Sequence, residues 1–88
     1  MTDAQDADNT RLRVYCRSWC GDCARAFRWL DERGIEYDKL DVEEDESALR
    51  FAESLNGGRL HTPTFCYGDL SCVDFKVDWL CEVLGVEP

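Results

Sequence analysis

The residues of this 88-residue chain best suited to chemistry are Cys20 and Cys23, separated by two residues in "SWCGDCARAF". A C-x-x-C spacing can make and break a disulfide, supply half of a metal site, or place two small side chains in a core. Residues three apart on a helix hold their Cβ atoms about 5–6 Å from one another. Bonded cysteines need about 3.5–4.5 Å. A pair at a helix N-terminus therefore closes with a modest local adjustment. Free backbone N–H groups and the helix dipole at that position also favour a thiolate. Cys20, ahead of the helix, is expected to be the exposed nucleophile. Cys23, on the apolar side of the helix, is expected to resolve the mixed disulfide from within. Arg17 adds positive potential near Cys20, whereas the Asp22 carboxylate opposes a thiolate there.

A structural zinc site needs four ligands, usually as two closely spaced pairs. The remaining candidates are Cys16, Cys66, Cys72, Cys81 and the single His61, with no second C-x-x-C. No metal site is expected. Cys16 and Cys66 fall mid-strand and Cys81 on an apolar helix face, which reads as core packing. His61 reads as a solvent-facing polar residue.

The elements that must position the pair follow from hydrophobic period. "RLRVYC" (11–16) alternates Leu12, Val14 and Cys16 against Arg11, Arg13 and Tyr15, a half-buried strand. After the loop "RSW", Cys23, Phe27 and Leu30 follow helical spacing over 21–33, with Gly34 placed just past the helix end. "IEYDKLDV" (35–42) is a second strand. "EEDESALRFAESLN" (43–56) is a helix carrying Ala48, Leu49, Phe51, Ala52 and Leu55 on one face, stopped by Gly57 and Gly58. "TPTFCY" (62–67) and "LSCV" (70–73) are strands joined by a tight "GD" turn. Asp74 is placed as the N-cap of a last helix over 75–84, ended by Gly85. The order β-α-β-α-β-β-α predicts a single α/β domain, residues 11–88, with a four-stranded mixed sheet flanked by helices. Right-handed helical crossovers are expected to join its first three strands.

Composition narrows the partners. Nineteen acids against ten bases give a net charge of −9, which disfavours nucleic acid and anionic membranes. Residues 1–10, "MTDAQDADNT", read as a disordered acidic tail. No run of about eighteen apolar residues is present to span a membrane, and the N-terminus lacks signal-peptide features. The expected location is the cytoplasm, where most of the six cysteines would remain thiols. A monomer is expected.

Placed after a strand and opening a helix within a βαβ pattern, the pair has the setting of a thioredoxin-like redox motif. Several segments together resemble the glutaredoxin family, and its short bacterial mycoredoxin branch in particular. "VYCRSWCGDC" resembles the family's strand-loop-helix active site, "GIEYDKLDVEED" its second strand and acidic link, and "SLNGGRLHTPTF" the stretch ending in Thr-x-Pro. The resemblance implies a thioredoxin-like fold and a thiol–disulfide oxidoreductase that reduces protein disulfides, or mixed disulfides with a low-molecular-weight thiol. It assigns Cys20 as nucleophile, Cys23 as resolving thiol and Pro63 as a cis-proline facing them. Thr62 would offer its backbone to a bound thiol peptide. Arg17 would meet a carboxylate of the small thiol, Trp19 would shield the site, and Asp74 would help hold the γ-glutamyl end. Oxidised proteins would be the substrates. Glutathione, mycothiol or a flavin-dependent reductase would recycle the pair, with no tightly bound cofactor. The alternative implied is a [2Fe–2S] cluster-binding module, which Gly21 permits. Ser71 and Cys72 depart from the two glycines common in the family, and they crowd the expected groove.

Overall fold

The computed structural model describes residues 11–87. The acidic segment 1–10, expected to be a tail, lies outside the described residues. The elements are β1 (Leu12–Cys16), α1 (Gly21–Glu32), β2 (Tyr37–Asp41), α2 (Glu46–Ser54), β3 (Thr64–Tyr67), β4 (Leu70–Val73) and α3 (Val77–Leu84). They form the expected α/β arrangement around one four-stranded sheet of order β2-β1-β3-β4. No helix among the described residues is long and apolar enough to cross a membrane.

Period two decides which face of β1 goes where. Leu12 and Val14 pack with Ala26 and Leu30 of α1, Phe65 of β3 and Leu80 of α3. Each such large apolar side chain contributes about 1.5–3 kcal/mol when taken from water. Tyr15, on the opposite face, packs with Val42, Cys66, Ala48 and Ala52, so α2 covers the other side of the sheet. Phe51, expected in the core face of α2, lies 40 % exposed at its rim, tilted against Tyr15. Gly34 and Gly85 end their helices with φ of 66° and 70°, the left-handed turn that favours glycine.

Three expectations about the chain path are corrected. First, β1 and β2 are parallel, but β3 runs antiparallel to β1, so only α1 makes a parallel crossover. The physical reason is reach. α2, with nine residues, spans about 14 Å, and the segment 55–63, which turns at 55–58 before reaching β3, is long enough to cover the same distance in return. That segment carries the chain back to the end where β1 finishes, pairing Thr64 with Tyr15. Second, α2 begins at Glu46 with Asp45 as its cap, whose Oδ1 accepts the Ala48 N–H at 3.2 Å. Third, Asp74 is not the cap of α3. It has φ 89° and its Oδ1 accepts the neighbouring Phe75 N–H at 2.9 Å. The chain turns out of β4 through this residue, leaving Phe75 ahead of the helix and Lys76 as a cap without a side-chain bond.

Candidate active site

The antiparallel placement of β3 builds the site, because it brings the start of β3 against the loop that leaves β1. Cys20 is the N-cap of α1, with extended backbone (φ −96°, ψ 114°). Its Sγ accepts the Cys23 N–H at 3.2 Å, so a thiol occupies the position where a serine or aspartate usually satisfies a free helix donor. The same sulfur lies 3.5 Å from the Thr62 carbonyl oxygen, to which its S–H donates. The Thr62–Pro63 bond is cis. Cys20 is half-buried, while Cys23 behind it is 2 % exposed. Interaction with the Cys16 side chain, reinforced by burial, pushes the Cys23 thiol far above the ordinary thiol range. All six cysteines are free thiols.

Arg17 reaches across to this corner. Its Nε donates to Thr62 Oγ1 at 3.2 Å, and its guanidinium stacks 4.6 Å from the Trp19 ring centre. Trp19 stands 69 % exposed beside the pair, a flat apolar surface at the mouth of the site. Asp74 approaches from the far side, its backbone N–H bonded to the Pro63 carbonyl at 2.9 Å. The structure thus brings Arg17, Cys20, Cys23, Thr62, Pro63 and Asp74 together at one corner, with Trp19 at its edge. The Asp22 carboxylate is ion-paired with Arg25 one turn along α1. His61, expected to face solvent, is half-buried, with Nε2 covered and 3.7 Å from Asp74 Oδ1.

Two residues escape a reading of the sequence. Glu43, expected in the first turn of α2, precedes that helix and grips the active-site loop. One carboxylate oxygen accepts the Ser18 hydroxyl at 3.1 Å and the other accepts Trp19 Nε1–H at 2.9 Å. These bonds hold the Glu43 carboxyl below the usual glutamate range. The sequence around Glu43 carries no signal for this role, since its partners are more than twenty positions away. Cys16 is a core thiol as expected, at 1 % exposure, but its neighbour is Cys23. Cys66 is buried on the opposite face, and Cys81 is half-buried rather than core. Cys72 donates weakly to the carbonyls of Val73 and Asp74, and burial raises its thiol above the ordinary value. Among the described residues no cluster of His, Cys, Asp and Glu is arranged to hold a metal ion.

Residues 12–69, which include the pair and the cis-proline, match the glutaredoxin family model. The chain belongs to the glutaredoxin family. It is 40 % identical over 58 residues to a protein assigned as a glutaredoxin in Mycobacterium tuberculosis, covering 66 % of this chain and 69 % of that one. It is 37 % identical over 60 residues to mycoredoxin 1 of Corynebacterium glutamicum, covering 68 % and 73 %. Among solved structures, the glutaredoxin-like NrdH-redoxin of Escherichia coli superposes with a TM-score of 0.67 at 28 % identity, covering 89 % of this chain and 96 % of that one. The fold is therefore thioredoxin-like, and this glutaredoxin is a thiol–disulfide oxidoreductase.

Proposed function

We propose that this glutaredoxin reduces protein disulfides, or mixed disulfides with a low-molecular-weight thiol, through Cys20 and Cys23. The observation that carries the reading is the setting of Cys20 Sγ, a half-buried sulfur between the Cys23 N–H at 3.2 Å and the Thr62 carbonyl at 3.5 Å, with a buried second thiol behind it. The Cys20 thiolate attacks one sulfur of the substrate disulfide, and the other sulfur leaves as a thiolate. Cys23, having lost its proton, then attacks Cys20 Sγ. The Cys20–Cys23 bond forms as the mixed disulfide breaks, and the second substrate thiol is released. Thr62 and Pro63 present backbone for strand-like pairing with an extended substrate. Arg17 faces an acidic group of the small thiol, Trp19 covers the reacting sulfurs, and Asp74 closes the far end of the groove.

Glutathione or mycothiol recycles the pair, or a flavin-dependent reductase does so. The identity with mycoredoxin 1 supports including mycothiol. A reducing, cytoplasmic setting and action as a monomer belong to the same proposal.

The test is anaerobic purification, a visible spectrum with metal analysis, and turnover of glutathione and mycothiol mixed disulfides by wild type, Cys20→Ser and Cys23→Ser. Colourless protein with turnover lost in Cys20→Ser is expected. A brown dimer holding iron and sulfide would favour the cluster-binding alternative. Turnover surviving in Cys20→Ser would sink the assignment of the nucleophile.

A further inference from the structure

The loop that leaves β1, residues 17–19, is held from both sides. In the sheet order β2-β1-β3-β4, the chain leaving β2 emerges on one side of it and the chain entering β3 on the other. β1 and β2 are parallel with Cys16 level with Asp41, and the Val42 N–H donates to the Cys16 carbonyl at 2.9 Å, so the two strand ends stay together. Glu43 follows at once in a tight turn. Its N–H donates to Asp41 Oδ1 at 2.8 Å, and the Glu44 and Asp45 N–H groups both donate to the Asp41 carbonyl at 3.1 Å. That turn pins the backbone from which the Glu43 carboxylate reaches Ser18 and Trp19. On the other side, Arg17 Nε donates to Thr62 Oγ1 at 3.2 Å. The Arg17 guanidinium, stacked on the Trp19 ring, joins the two halves.

We propose that Glu43 is a positioning residue for recognition of the small thiol: by holding Trp19, it keeps Arg17 laid on the indole face with its terminal amino groups presented to a carboxylate of that thiol. The inference rests on the role proposed above for Arg17. Among the described residues Arg17 makes no ion pair, and its one side-chain hydrogen bond is spent through Nε. Its two terminal amino groups are therefore available, in the fork geometry that suits a carboxylate.

One carboxylate has two opposed effects here. Trp19 is largely exposed, and the bond to Glu43 is what anchors its indole N–H. Without that bond the ring samples several rotamers and Arg17 loses its platform, so ordering both side chains on binding costs affinity. Charge acts in the opposite sense, because removing an acid near Arg17 strengthens its pull on an anion. Glu43 is exposed, and its charge is weakened by solvent and salt, so positioning outweighs charge. An exposed cation–π stack corresponds to about two- to fivefold in binding. A thiol without a carboxylate gives Arg17 nothing to hold and feels neither effect.

The test mixes the reduced full chain, in excess, with an uncharged fluorescent peptide whose one cysteine carries glutathione or 2-mercaptoethanol as a mixed disulfide. The second of these thiols has no carboxylate. Single-turnover release of the peptide across protein concentrations gives a half-saturating concentration and a maximal rate, with no recycling partner needed. In Glu43→Ala the ratio of the glutathione value to the mercaptoethanol value is expected to rise about two- to fivefold, through half-saturation rather than maximal rate. Glu43→Gln keeps an oxygen for the indole N–H and should lie nearer wild type. Adding Glu43→Ala to Arg17→Ala should leave the ratio where Arg17→Ala alone puts it. Equal loss on both disulfides would make Glu43 a general support of the loop, and tighter glutathione binding in both Glu43 variants would make it a repelling charge; either overturns the proposal. A wild-type ratio in Glu43→Ala, beside a raised one in Arg17→Ala, overturns the proposal and leaves the Arg17 role intact. A wild-type ratio in Arg17→Ala refutes that role, and the positioning with it.

Discussion

Thr64→Val probes the turn that sets Thr62 and Pro63 against the Cys20–Cys23 pair. Thr64 is the first residue of β3 and fully buried, and its hydroxyl donates to the His61 carbonyl at 2.6 Å, bridging the cis peptide. Valine fills nearly the same volume but leaves that carbonyl without its donor. The bond is partly shielded from water, so its loss costs about 1–1.5 kcal/mol. For a domain of this size that lowers Tm by about 4–12 °C. The turn also aims the Thr62 carbonyl at Cys20 Sγ, 3.5 Å away. If the same energy is expressed in holding that geometry, kcat/KM falls by up to about tenfold where the variant remains folded. Thermal unfolding of the reduced protein by circular dichroism and turnover of a mixed disulfide measure the two effects. Wild-type Tm together with wild-type turnover would refute the argument that this hydroxyl holds the turn.

Three further outcomes follow from the geometry. Glu43 has a lowered pKa through its bonds to Ser18 and Trp19, so the clamp is intact above the ordinary glutamate value and released as pH falls through the lowered one. The Trp19 contribution to fluorescence, taken as the difference from Trp19→Phe, should change in that acid window and lose the transition in Glu43→Gln; a flat acid titration in wild type would count against the clamp. Asp45→Ala removes the α2 cap, at a cost of about 1 kcal/mol and a Tm lower by about 4–8 °C, and an unchanged melting curve would deny Asp45 that role. Burial raises the Cys72 thiol, so at neutral pH its thiolate fraction is small and iodoacetamide should modify Cys20 well before it; peptide mapping showing the reverse order would contradict the structure at β4.

The sequence made the local framework readable because its determinants are local. Alternation in "RLRVYC", helical spacing after Cys20, and glycine at positions 34 and 85 each act within a few residues, and the elements stand where those patterns place them. The boundary at Asp74 was less legible. A residue able to cap a helix is equally able to take a positive φ and bond its neighbour's N–H, and the need to turn out of an edge strand decided between the two. At α2, four consecutive acids, Glu43 to Glu46, offered several starts, and only the bond from Asp45 to Ala48 fixes the register.

By itself, the sequence determined the family, the cysteine pair at a helix N-terminus and the proline placed near it. These depend on residue type and spacing along the chain. Tertiary structure alone decided that β3 runs antiparallel to β1 and that Glu43 grips Trp19. Those contacts join positions more than twenty apart, and they exist because sheet order and a single helical crossover bring certain ends together. Nothing in a local window encodes which ends meet; the burial of two nonlocal cores, one on each face of the sheet, selects them.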